Sequence, residues 1–114
     1  MERKLEYSFD DEPVSKFCYY LETQKIEVGF KGYYDLIKDK YIDVPCIWVF
    51  ENWEFAKSSV GDEQKKYDLS KHIGIFSLIL YLKYNDDKEL EMLVNTVDSR
   101  YITLFFKEPQ LSLR

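Results

Sequence analysis

Histidine, cysteine, proline and glycine are all scarce in this 114-residue chain, at one, two, three and four copies. The single His72 and the pair Cys18 and Cys46 show no CxxC or HxxxH spacing, so the usual ligands of a transition-metal site are missing. Nucleophilic catalysis has equally little to draw on. Both cysteines sit inside strand-like apolar runs, where a thiol is usually inert, and neither follows a helix-start signal that would activate it. Ser70 and His72 are too close in sequence for a triad, and no GxSxG motif occurs. Gly29, Gly32, Gly61 and Gly74 are scattered, so no loop is built to cradle phosphate.

Other absences bound the class of protein. Two cysteines cannot form the disulfide framework of a small secreted domain. The start, Met1 to Ser8, is charged and lacks a signal-peptide core. The longest apolar stretch, Ile73 to Leu82, is about half the length a membrane helix needs. With so little Gly and Pro there is no linker or low-complexity tract, and no internal repeat is visible. These features lead to one soluble, cytoplasmic domain over residues 1–114, with no metal, no cofactor, no catalytic residues and no membrane attachment.

Hydrophobic residues make up 46% of the chain and aromatics 18%, ample for a real core. The net charge is −5 and the isoelectric point near 4.9. Such a surface repels phosphate backbones and anionic lipid, so nucleic acid is not an expected partner. The same field would draw in a basic one.

Two-residue alternation dominates the pattern. Ile26, Val28 and Phe30 fall on one face of a strand, preceded by a strand over Val14–Leu21 and a polar Glu22–Lys25 hairpin break. Residues 33–40 read as a loop or a single helical turn. Pro45 opens an apolar strand, Cys46–Phe50, and Asn52–Ser59 reads as extended, with Trp53 and Phe55 on one face. Gly74–Tyr84 reads as a strand with Phe76, Leu78, Leu80, Leu82 and Tyr84 on one side. Asn85–Lys88 and Asp98–Arg100 are turns, and Pro109 closes the last strand, giving an antiparallel meander. The fold expected is mainly β, six or seven strands in a sheet, sandwich or roll. One or two short helices would lie near 33–40 or 62–72, with an α+β arrangement as the alternative.

Ten tyrosines, eight phenylalanines and two tryptophans are more than a core of this size comfortably holds. Tyr and Trp anchor protein interfaces, and acids beside them would give an aromatic patch with an acidic rim. Aromatics on a sheet can also stack single-stranded RNA, but that needs a basic groove, and the local charge is neutral to acidic. The residues expected at a contact surface are Tyr33, Tyr34, Asp35, Glu51, Trp53 and Glu54. Glu51 and Glu54 flank Trp53 closely enough for acid–base chemistry to be conceivable, although a solvated strand face explains them as well.

The segments Ile26–Asp35 and Asn52–Ala56, with the hairpins from Leu78 to Phe106, make the chain resemble the small acidic β-rich immunity proteins of bacterial polymorphic toxin systems. That resemblance implies a non-catalytic inhibitor that neutralises a cognate toxin, a basic one being the first candidate, by tight binding. It transfers no individual functional residue. Two other readings stay open: a small-molecule-binding barrel or roll lined by the aromatics, and a self-associating structural domain, a homodimer included. An enzyme ranks last.

Overall fold

A computed structural model describes residues 5–20, 22–61, 66–69, 73–85 and 88–114. Among them, thirteen β-segments follow one another: β1 (Tyr7–Ser8), β2 (Glu12–Pro13), β3 (Lys16–Tyr20), β4 (Lys25–Phe30), β5 (Tyr33–Asp35), β6 (Lys40–Ile42), β7 (Cys46–Glu51), β8 (Phe55–Val60), β9 (Tyr67–Asp68), β10 (Phe76–Tyr84), β11 (Glu89–Thr96), β12 (Tyr101–Lys107) and β13 (Gln110–Leu113). They form a six-stranded sheet in the order β2-β10-β11-β12-β8-β9, a four-stranded sheet β13-β7-β4-β3 and a three-stranded sheet β1-β5-β6. Every pairing among the described strands is antiparallel. The protein is mainly β, as the alternation indicates.

The two larger sheets face each other as a sandwich. Ile26, Val28 and Phe30 of β4 and Trp48 and Phe50 of β7 meet Leu90, Met92 and Val94 of β11 and Ile102, Leu104 and Phe106 of β12. Contacts cross the interlayer directly, with the Phe17 and Phe76 rings 4.3 Å apart and Phe50 and Phe106 5.1 Å apart. Each such ring or branched side chain taken fully out of water contributes roughly 1.5–3 kcal/mol, so this layer dominates the stability. Cys46 belongs to it, whereas Cys18 lies opposite Glu27 on the outer face of the same sheet. Both thiols are free, and the sheet itself stands between them.

Four details depart from the sequence reading. Residues 33–42 form a β-hairpin, β5 and β6, instead of a loop or helical turn. The chain does not finish at Pro109: Glu108 adopts φ +50°, and β13 then crosses to pair with β7 in the opposite sheet. β10 buries Phe76, Ile79 and Leu82 because register shifts fall between Phe76 and Leu78 and between Ile79 and Tyr81, each turning the strand over once. Leu78 and Leu80 thereby leave the core face. Around Trp53, the turn at Asn52 (φ +55°) places the indole in the core before β8 begins, so Ala56 follows it inward while Phe55 is exposed. The helix expected near 62–72 falls largely on 62–65 and 70–72, outside the described residues; of the rest, Tyr67–Asp68 is strand β9, and Leu69 is helical, its carbonyl accepting the Ile73 N–H at 3.2 Å. His72 and Ser70 lie outside the described residues as well.

Candidate functional site: the β5–β6 hairpin

A twelve-residue stretch, Tyr33 to Val44, carries four of the exposed large apolar side chains: Leu36 (48% exposed), Ile37 (70%), Tyr41 (48%) and Val44 (57%). Isolated exposed apolar residues need no explanation, whereas several within one short stretch make it a candidate surface. The local chemistry explains why these residues face water. Asp35 is buried, and its Oδ1 accepts the backbone N–H groups of Ile37 (3.0 Å) and Lys38 (2.9 Å), which folds the chain back on itself. Asp39, at φ +55°, completes the reversal and accepts a hydrogen bond from the Tyr34 hydroxyl. The turn satisfies its own polar groups and pushes Leu36 and Ile37 outward.

The hairpin is moored on both sides. Tyr7 and Ser8 of β1 pair with Asp35 and Tyr34, and the Leu36 N–H donates to the Glu6 carbonyl at 2.9 Å. The Tyr33 ring stands edge-on to Tyr7 at 5.3 Å and 6.0 Å from Phe9. Phe9 is fully buried and stacks on Phe30 (4.4 Å) and Trp48 (4.9 Å), so one ring ties the small sheet to the sandwich. Gly32 is required at the hairpin's entry. A Cβ there would come within 2.7 Å of the Ile42 carbonyl oxygen and would also run into the Tyr41 hydroxyl.

The surroundings are of mixed charge, with exposed Lys31, Lys38, Lys40 and Lys83 among the acids. Asp10 lines a shallow depression with Leu36, and Glu12 and Asp43 line another with Tyr41 and Lys31. The Tyr41 hydroxyl lies 3.4 Å from Glu12 Oε2. Burial pushes the Asp10 carboxyl above the usual carboxylate range; a backbone hydrogen bond from Leu82 opposes this, and the neighbouring Asp11 charge adds to it. The Tyr34 phenol is raised, chiefly because its proton is held by Asp39, and the Tyr41 phenol is raised by desolvation and by Glu12.

The six residues expected at the contact surface fall into two groups. Tyr33, Tyr34 and Asp35 all lie on β5, but Tyr33 packs inward and Asp35 serves the turn, leaving only Tyr34 near the outer surface. Glu51, Trp53 and Glu54 sit at the other end of β7, about 17 Å away by strand rise. Trp53 is 6% exposed, with its ring 5.1 Å from Phe106, so it is a core residue and no surface anchor. Glu51 stands opposite Lys25 and Gln110, and exposed Glu54 lies 3.8 Å from the Lys107 ammonium. The structure therefore does not join the two groups into one patch.

The residues that the sequence reading missed are Leu36, Ile37, Tyr41 and Val44. Their signal is present: a Leu-Ile pair stands between two aspartates in an otherwise polar stretch, where a buried strand would not place it. Among the described residues, no group of three His, Cys, Asp or Glu side chains converges as a metal site would require. No helix among the described residues is long and apolar enough to cross a membrane. No protein-family model, curated protein or solved structure matches the chain.

Proposed function

We propose that this chain is a binding protein that docks a basic protein partner on the β5–β6 hairpin, and that it acts as an immunity-type inhibitor of a toxin. The observation that carries the reading is the exposure of Leu36 and Ile37 at the tip of one rigidly turned hairpin, with exposed Tyr41 on β6 and Val44 just past it. Apolar anchors supply affinity by slowing release, while the negative field of the whole chain, the charge beside the hairpin being mixed, speeds a cationic partner's arrival. The net charge of −5 favours the same class of partner. In this reading inhibition needs no chemistry on the inhibitor, because a docked hairpin covers the toxin's working surface.

Growth rescue tests it. Each gene product encoded beside this chain is expressed in a test bacterium, alone, with the wild-type chain, and with a Leu36→Ser/Ile37→Ser double variant. The expected result is one toxic neighbour, rescue by the wild type, and loss of rescue by the variant at unchanged melting temperature. If no neighbour is toxic, the inhibitor reading fails. Full rescue by the variant would move docking away from the hairpin. If light scattering shows a dimer that the double variant dissolves, the hairpin's occupant is a second copy of this chain and the basic-partner assignment is wrong.

A further inference from the structure

Away from the hairpin's outer surface, the two layers of the sandwich part along one edge. β13 borders the four-stranded sheet there, and β1 and the end of β10 come up opposite it. The cleft between them encloses about 250 Å³ and is walled by Leu5, Tyr7, Trp48, Tyr84, Leu111 and Leu113. Drug-sized ligands occupy roughly 300–1,000 Å³, so this space suits a ring with a short substituent. A second observation concerns Trp48, which is 3% exposed yet lines the cleft. Among the described residues, nothing accepts a hydrogen bond from its indole N–H. A buried donor without a partner costs free energy, and a ligand acceptor would recover it.

We propose that this cleft binds a small neutral aromatic molecule carrying one hydrogen-bond acceptor, such as an aryl amide or aryl ketone. The ring packs among Trp48, Tyr84, Leu111 and Leu113, and the acceptor takes the Trp48 indole proton. Glu6, the one carboxylate on the cleft's wall, disfavours an anionic ligand. The site is separate from Leu36, Ile37, Tyr41 and Val44, so it stands or falls independently of partner docking.

Benzamide, toluene and benzylammonium chloride serve as probes: an acceptor-bearing ring, a bare ring, and a ring with a cation that could instead seek Glu6. Each is titrated into the Trp53→Phe protein, whose remaining tryptophan is Trp48, with fluorescence and the indole N–H proton resonance as readouts. The expected result is saturable benzamide binding, about five-fold tighter than toluene, with a downfield shift of the indole proton. Leu113→Trp, on a half-buried edge-strand position, should fill the cleft and abolish binding while melting stays cooperative. The same titration of the wild-type chain, followed by the Trp48 indole resonance, guards against a Trp53→Phe protein that fails to fold. Equal affinity for toluene, preference for benzylammonium, a non-saturating response, or binding undiminished by Leu113→Trp would each overturn the proposal.

Discussion

The sandwich and the β5–β6 hairpin hold their shapes by different means. The sandwich is fixed by non-local apolar burial, with strands from distant parts of the chain sharing one wholly buried layer. The hairpin is fixed by short-range polar bonds at Asp35, Tyr34 and Asp39, and touches the body mainly through Tyr33 and Phe9. A region shaped by local hydrogen bonds can leave its apolar side chains in water, whereas a region shaped by burial cannot. That division lets a small domain display Leu36 and Ile37 without loosening its core.

Substitutions should separate the two regimes. Phe9→Ala, the largest expected loss, removes the ring that joins them and should destabilise the whole protein by about 3–5 kcal/mol in urea melts. A loss confined to the small sheet, with the sandwich unaffected, would mean that the regions fold as separate units. Asp35→Ala strips acceptors from two turn N–H groups and should cost about 1–2 kcal/mol, with amide exchange rising at Ile37 and Lys38 but not in β11. Uniform exchange across both regions would break the contrast.

How much of this was legible in the chain follows from the same contrast. Ile26, Val28 and Phe30, or Leu90, Met92 and Val94, declare their strands because a half-buried sheet repeats every second residue. The period-two rule failed on β10, where bulges that depend on neighbouring strands reset the faces. It failed at Trp53 because the left-handed turn at Asn52 changes which residue points inward. Residues 33–42 looked like a loop because the Asp35 turn supplies order through side-chain acceptors, which hydrophobic periodicity does not register. Of the expected site, Tyr34 is half-buried with its hydroxyl held by Asp39, while Trp53 looked like an anchor only because sequence cannot tell a core indole from an exposed one.

Two smaller effects sharpen the picture further. Glu108 sits at φ +50° where the chain leaves β12 for β13, and Ser99 at φ +66° in the β11–β12 turn. Replacing either with glycine relieves a left-handed backbone and should stabilise the protein by up to about 1 kcal/mol, checked by thermal melting. Loss of stability at Glu108 would show that its side chain, and not its backbone, matters at the crossover. On the outer face of the six-stranded sheet, desolvation and a hydrogen bond to Glu91 push the Tyr81 phenol from 10.0 up to about 12. The folded state therefore keeps this proton where the unfolded chain has released it. The stabilisation is complete below about pH 10 and is lost as the pH rises to about 12. Tyr81→Phe should flatten that part of the pH–stability profile, and an unchanged slope would assign it to other groups.

The crossing of β13 to β7 also sets a timetable. Asn52 and Gln110 hydrogen-bond although they stand 58 positions apart. During synthesis, β7 emerges long before the strand that will cover its outer edge, and before β11 and β12 that will cover its inner face. Nascent chains therefore carry an apolar strand with an open ladder until the closing segment clears the ribosome, an interval in which chaperone capture competes with sticking to other chains. The seam that completes the sandwich is a gate on the yield of folded protein as much as on its stability.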